Sequence, residues 1–281
     1  MEANNAQVIL DAGKAIQSLQ DSHLPSSITG SAPFLVMPGG TFKSLERLLP
    51  APLRVLATVV ARTVAGFTDY LLRYAQPTTM VFAWAGDKSF TGVIDHHGPE
   101  DPRWCSHRVV LTLLKTPEWQ VWEGKDGVKM GQEEFSEFLE DNLPDIASPA
   151  GAELLEVAQE LWATRSANFA SSVRLDNGQH QFKYEESISG SARKGTLDIP
   201  PTFTLGIAPF EGAVRFEVTA RFRYRIDSDG KLALWYDLLQ PERVLDTAYL
   251  LERQRIADLL KAAAQPVQVI DASFKDMAPA E

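Results

Sequence analysis

The chain has 281 residues, 44% of them hydrophobic, which is enough for a sizeable core in one or two domains. A formal net charge of −10 and a pI near 5.1 argue against non-specific nucleic-acid binding as the main role, because neutralising phosphates needs a basic surface and here one can exist only locally. The single cysteine, Cys105, excludes an intrachain disulfide and fits a reducing compartment.

The N-terminus, MEANNAQVILDAGKAI, lacks the basic start and apolar run of a signal peptide. No stretch approaches the roughly 18 uninterrupted apolar residues of a membrane span, so a soluble cytoplasmic protein with no membrane partner is expected. Asn5 to Gln20 reads as a short amphipathic helix with Val8, Ile9, Ala12, Ile16 and Leu19 on one side. It is either an arm that docks on a neighbouring subunit or a loose terminal helix. Asp21 to Gly40, with Pro25, Pro33, Pro38 and a Gly pair, is a linker that holds one short strand at Phe34 to Met37. Residues 1–40 therefore form an arm and linker. Residues 41–147 and 148–281 follow as two α+β halves that can also make one domain.

Arg54 to Arg62 is β-branched and reads as a strand, and Ala65 to Ala75 places Phe67, Tyr70, Leu71 and Tyr74 at helical spacing. Strands at Thr78–Ala85 and Phe90–His96 flank the turn Gly86-Asp87-Lys88, and another runs from His107 to Leu114. Thr116-Pro117-Glu118 starts a short helix whose Trp119 and Trp122 share one face, the spacing of core residues. Met130 to Asn142 is a helix with Phe135, Phe138 and Leu139 inward, broken at Pro144–Pro149, where the two halves meet. Ala150 to Arg165 is a helix with Leu154, Leu155, Ala158, Leu161 and Trp162 as its stripe. Strands at Phe169–Leu175 and His180–Ser187 flank Asn177-Gly178, a strong hairpin signal. Gly190 to Gly195 is a small, polar loop. Phe203 to Ile207 adds a strand, Pro241 to Ala263 a long helix with Leu245, Ala248, Tyr249, Ile256, Leu259 and Leu260 inward, and the tail from Gln265 an edge strand. Hairpin-linked strands mixed with helices point to an α+β fold, with largely antiparallel sheets, packed helices and a long C-terminal helix.

The clearest local statement is Phe210 to Leu239. From Arg215 the residues alternate: Phe216, Val218, Ala220, Phe222, Tyr224 and Ile226 on one face, Arg215, Glu217, Thr219, Arg221, Arg223 and Arg225 on the other. A loop at Ser228-Asp229-Gly230 sets Ile226 opposite Leu232, Tyr224 opposite Leu234 and Phe222 opposite Tyr236, keeping one face apolar; a one-residue slip mixes the faces. The same register sets Arg221 opposite Asp237 as an ion pair and Arg223 opposite Trp235 as a cation–aromatic pair, each contributing about 0.2–1 kcal/mol. The arginines are either a solvated sheet face or an anion-binding, subunit-contacting stripe.

Candidate chemistry concentrates in Asp95-His96-His97, at a strand end in FTGVIDHHGPEDP. Asp95 and His97 are the candidate metal ligands, and the trio could also move protons. It is similar to the signature of the DHH phosphoesterases, but those also need an Asp-x-Asp on an earlier strand, and Asp69 stands alone on a helix. Adjacent strand residues point to opposite faces, so the trio converges only if the chain turns there. The competing reading is a polar strand end. Asp101 and His107 lie near enough to join a site; Cys105, two residues from His107, reads as structural. Arg193 and Lys194 sit in the small-residue loop, within reach of a phosphate if one binds. There is no phosphate-binding Gly loop, dinucleotide fingerprint or Gly-x-Ser-x-Gly elbow, and no cofactor is expected.

In order, VIDHH, PEWQVW, EEFSEFLEDNLPDI, FASSVRLDNGQHQFKYEE, IPPTFTLGIAPFEG and RFRYRI resemble the YfdQ-like family of tailed bacteriophages and prophages, from about Pro52 to Ile256. The family has no known activity or catalytic residues to carry over. The resemblance implies a phage or prophage origin, expression in the cytoplasm of a bacterial host, and early genes, often of DNA metabolism, as neighbours. Three functions are therefore expected in order: a non-enzymatic accessory protein that self-assembles; a nucleic-acid-binding or recombination accessory factor using Arg215, Arg221, Arg223 and Arg225; and a metal-dependent hydrolase at Asp95, His96 and His97.

Overall fold

A computed structural model describes residues 34–36, 42–44, 47, 50–174, 180–191, 199–226, 231–263 and 266–275, with backbone alone for 34–36, 42–44, 162–174 and 180–191. The expected helix at 5–20, the turns at 177–178 and 228–230, and Arg193 and Lys194 lie outside the described residues. Residues 1–57 and 58–281 are two compact units. In the first, β1 (Phe34–Val36) pairs antiparallel with β2 (Phe42–Ser44).

The second unit is built on two five-stranded sheets. The first has the order β14-β4-β5-β6-β3, from β3 (Ala57–Ala61), β4 (Met80–Trp84), β5 (Ser89–Val93), β6 (His107–Thr112) and β14 (Gln268–Asp271). Its C-terminal strand β14 runs parallel to β4, whereas the β4–β5 and β5–β6 pairs are antiparallel. Alternation on these strands sends Val81, Ala83, Phe90, Val109 and Leu111 into the core. Two helices cover that face: α1 (Val64–Tyr74), capped by the Thr63 hydroxyl accepting from the Gly66 amide at 3.0 Å, and α5 (Pro241–Lys261). Phe67 of α1 and Tyr249 of α5 both meet Phe90, with ring centroids 6.2 and 5.3 Å apart. Gly92 leaves room for α1 against the sheet: a Cβ there would lie 2.6 Å from Leu71 Cδ2.

The second sheet has the order β7-β13-β12-β11-β8, from β7 (Met130–Gly131), β8 (Ile146–Ser148), β11 (Thr202–Ile207), β12 (Phe216–Ile226) and β13 (Leu232–Leu238). Its register is the expected one: Ile226 faces Leu232, Tyr224 faces Leu234 and Phe222 faces Tyr236. Val218, Ala220, Phe222, Leu234 and Tyr236 are buried, alongside α2 (Pro117–Gly124), α3 (Gln132–Asp141) and α4 (Gly151–Glu160). Trp122 anchors this layer. Its indole N–H donates to buried Asp145 at 2.9 Å and its carbonyl accepts from the Tyr236 hydroxyl at 2.6 Å, so both its polar ends are satisfied inside the core.

Several local expectations change. The helix expected over Ala150–Arg165 ends at Glu160, and Trp162–Arg174 is instead β9, paired with β10 (His180–Ser191). The ladder runs from His180 opposite Arg174 to Ser191 opposite Trp162. Cross-strand pairing over that length outweighs the helical spacing of Leu161 and Trp162, and it takes Gly190 and Ser191 out of the expected loop. The helix expected from Met130 starts at Gln132, because Met130 and Gly131 pair with β13. Leu259, expected inward on α5, is exposed, and Glu252 is buried in its stead. Pro144–Pro149, where composition places a break, contains β8, so strands from both sides of it share the second sheet.

Candidate functional site

The connection from β5 to β6 carries the Asp-His-His motif and is knitted to itself. Asp95 turns back onto the start of β6. Its Oδ2 accepts from the Ser106 amide at 2.9 Å and the Ser106 hydroxyl at 3.1 Å, and its Oδ1 accepts from the His107 amide at 2.9 Å. The carboxylate thus closes the loop as a backbone acceptor. His97 points elsewhere: its Nδ1 accepts the Arg103 amide at 2.9 Å, and its Nε2 lies 3.4 Å from Cys105 Sγ. Accepting at Nδ1 puts the proton of the neutral ring on Nε2, facing sulfur. His96 lies against Phe82 and Phe274, with centroids 5.4 and 6.4 Å away. The two imidazoles do meet edge-on, with centroids 5.2 Å apart, but Asp95 is turned away from them onto Ser106 and His107, so the three side chains do not share one ligand. Among the described residues no group of three or more His, Cys, Asp or Glu side chains is placed to hold a metal ion.

His107 sits on the opposite face of the sheet from His96. It is 5% exposed; its Nε2 lies 2.8 Å from the Tyr70 hydroxyl, and Tyr74 packs edge-on to it. Burial lowers its pKa below the ordinary value, against the opposing pull of Asp95. With Nε2 accepting from Tyr70, the neutral ring is the form that fits. Burial, with Tyr74 adding to it, raises the Tyr70 pKa as well. Asp101 pairs with Arg103 Nε at 2.8 Å, and Arg103 Nη1 reaches Gln76. Cys105 is 4% exposed and holds a left-handed backbone with φ of 49°, an uncommon conformation away from glycine. His97 and Cys105 are the components of a thiol–imidazole pair, but the thiol is screened from solvent. Sequence proximity sets Cys105 beside His107; the fold sets it beside His97, because Cys105 precedes β6 while His107 lies within the strand and faces α1.

The arginine stripe occupies the outer face of the second sheet. Arg215, Arg221 and Arg225 are exposed and Arg223 is half-buried. The register does set Arg221 opposite Asp237 and Arg223 opposite Trp235, but the ion pair is diagonal, from Arg223 Nε to Asp237 Oδ2 at 3.0 Å. The cation over Trp235 is Lys129, with Nζ 5.4 Å from the ring centroid. Long side chains reach the diagonal neighbour on a twisted sheet, so facing positions do not dictate partners.

Two further features had no sequence signal. The outer face of the first sheet carries Met80, Phe82, Thr91, Val110 and Ile270, all half-buried, with Val60 71% and Trp84 44% exposed. Ile270, Phe82, Thr91 and Val110 are aligned across four strands by the register. The other feature is a cleft beside Tyr249. β4 lies far along the chain from both α5 and β14, so no local pattern announces the cleft they form. No helix of the described residues is long and apolar enough to cross a membrane.

Comparison with curated proteins and with solved structures returns no match. A family pattern does match, from residue 6 to residue 268, so the N-terminal segment before Pro52 falls within it. The chain belongs to the uncharacterised conserved protein family DUF2303.

Proposed function

We propose that this protein works by self-association, as a non-enzymatic accessory protein of phage or prophage origin, the origin resting on the YfdQ-like resemblance of its ordered motifs. The observation that carries the reading is the outer face of the first sheet. Its strands present one charged side chain, Arg108, which lies over Phe274 at 4.9 Å, and otherwise apolar or small polar residues. An apolar sheet face gains stability by covering, at about 25 cal/mol per Å² of apolar surface removed from water. A second copy of the same face is a suitable cover, because Arg108 is the one charged side chain its strands carry and it already lies over Phe274. The Asp-His-His loop supports the non-enzymatic part, since Asp95 is committed to three protein donors.

Light scattering after size exclusion tests this. The parent chain at micromolar concentration elutes as a discrete multimer, and Val60→Glu shifts it towards the monomer with its circular-dichroism spectrum retained, since Val60 is 71% exposed within the subunit. A parent that stays monomeric overturns the proposal.

The Lys129–Trp235 contact favours a second reading. Arg215, Arg221 and Arg225 beside an aromatic ring under a cation form the kind of sheet face on which single-stranded nucleic acid stacks. Arg221→Ala with Arg225→Ala then weakens oligonucleotide binding and flattens its salt dependence by about one phosphate contact per arginine. Binding unchanged in that double variant rejects the reading.

A further inference from the structure

A cleft of about 680 Å³ opens between the end of β4, the end of β14 and the outer flank of α5. That is the size of an ordinary small-molecule site. Trp84, 44% exposed, forms one wall, and Leu250 of α5 is also part of the lining. Gly86 lets the indole lie flat against the turn, for a Cβ there would sit 2.8 Å from Trp84 Nε1. Polar groups also converge. Arg253 and Asp271 make a bidentate pair, at 2.6 Å from Nε and 2.8 Å from Nη2, which leaves Arg253 Nη1 without a hydrogen bond among the described residues. Gln254 gives its amide nitrogen to Asp258 at 2.8 Å, so its amide oxygen remains. The informative group is Tyr249. Tyr249 is among the lining, it is 2% exposed, and its hydroxyl has no hydrogen-bond partner among the described residues. A buried hydroxyl without a partner loses its hydration with nothing in return, and such a group in a native structure calls for a missing partner.

We propose that this cleft binds a nucleobase or nucleoside, the flat ring stacking on Trp84 and its polar edge meeting Tyr249, Arg253, Gln254 and Asp271. The set offers donors (the Tyr249 hydroxyl and Arg253 Nη1) and acceptors (the Asp271 carboxylate and the Gln254 amide oxygen) side by side. A purely hydrocarbon ring satisfies none of them. A phosphate-bearing ligand gains nothing here, because Arg253 is neutralised by Asp271 and the nearby Lys88 is committed to Asp246 at 2.7 Å. The ligand is therefore recognised by its base.

Titration calorimetry of the full chain with adenosine, guanosine, cytidine and uridine, and with the matching 5′-monophosphates, tests this. At least one nucleoside binds the parent one to one, and its 5′-phosphate does not tighten binding. Trp84→Ala weakens that binding at least tenfold and Tyr249→Phe at least threefold. Ligand-free Tyr249→Phe has a thermal midpoint equal to or above the parent's, because the lost hydroxyl had no partner, so its weaker binding is not misfolding. No binding by any of the four nucleosides at millimolar concentration overturns the proposal. So does binding unchanged in Tyr249→Phe, or a lower midpoint in that variant, which would give the hydroxyl a partner inside the protein.

Discussion

Asp95 accepts three hydrogen bonds from Ser106 and His107, and removing it strands two backbone amides at the start of β6. Asp95→Ala lowers unfolding stability by about 2–3 kcal/mol, the usual range for a hydrogen-bonded charge. Urea titration measures this, and adding divalent metal to the parent leaves its midpoint where it was. An unchanged midpoint in Asp95→Ala would show that the carboxylate serves something other than the loop. His107 supplies a pH dependence. Its folded pKa is depressed below 6.5 by burial, so the unfolded chain takes up the proton first as pH falls. The stability it contributes is complete above the unfolded value and is lost below it, as pH falls towards and through the folded pKa. The urea midpoint therefore drops between pH 7.5 and pH 5 more steeply in the parent than in His107→Gln; identical slopes would mean that the imidazole is not held neutral. The residue types were legible in the sequence, but their partners were not. Asp95, His96 and His97 are adjacent and look like one site, yet Asp95 turns to β6, while the two imidazoles meet edge-on, with His96 against Phe82 and His97 against Cys105.

At the scale of elements, the joint between α1 and the first sheet depends on Gly92. Its missing Cβ is what admits Leu71, which is fully buried, and a Cβ there would also lie 3.0 Å from Val109 Cγ1 on the neighbouring strand. Gly92→Ala therefore costs about 1–3 kcal/mol, the usual penalty for overpacking, and circular dichroism melts show a lower midpoint with strand content retained. A melt like the parent's would mean that α1 rides more loosely on the sheet than these distances require. The β12–β13 hairpin behaves differently. Its register follows from burying Val218, Ala220 and Phe222 on one face, so it is robust, whereas its Arg223–Asp237 pair is about two-fifths exposed on each side. Arg223→Ala changes stability by no more than about 1 kcal/mol, and the difference shrinks in high salt. Alternation is a backbone property and reads directly from sequence. The end of α4 does not, because Trp162 satisfies a helical stripe and a strand equally well until β10 is there to pair with it.

For the whole molecule, the open issue is what covers the outer face of the first sheet. Val60 and Trp84 stay exposed within the subunit while Phe82, Val110 and Ile270 form a row behind them. Self-association through that face makes the thermal midpoint depend on protein concentration, rising with it, as for any assembly whose partner binds only the folded state. A midpoint constant over a hundredfold dilution range would argue for a subunit stable by itself.

The amino-acid sequence by itself determined the α+β class, the long helices, the longer strands and the register of β12 on β13, but not the short strands β2, β7 and β8. What it determined depends on periodicity, caps and turns, interactions that span a few residues and leave their trace locally. Only the tertiary structure decided that β14 joins β4 in parallel, that strands from both sides of Pro144–Pro149 share a sheet, that His97 meets Cys105, and that Tyr249 ends in a cleft without a partner. Each of those joins residues far apart in the chain or sends neighbours to opposite faces, and such contacts are set by how the layers pack.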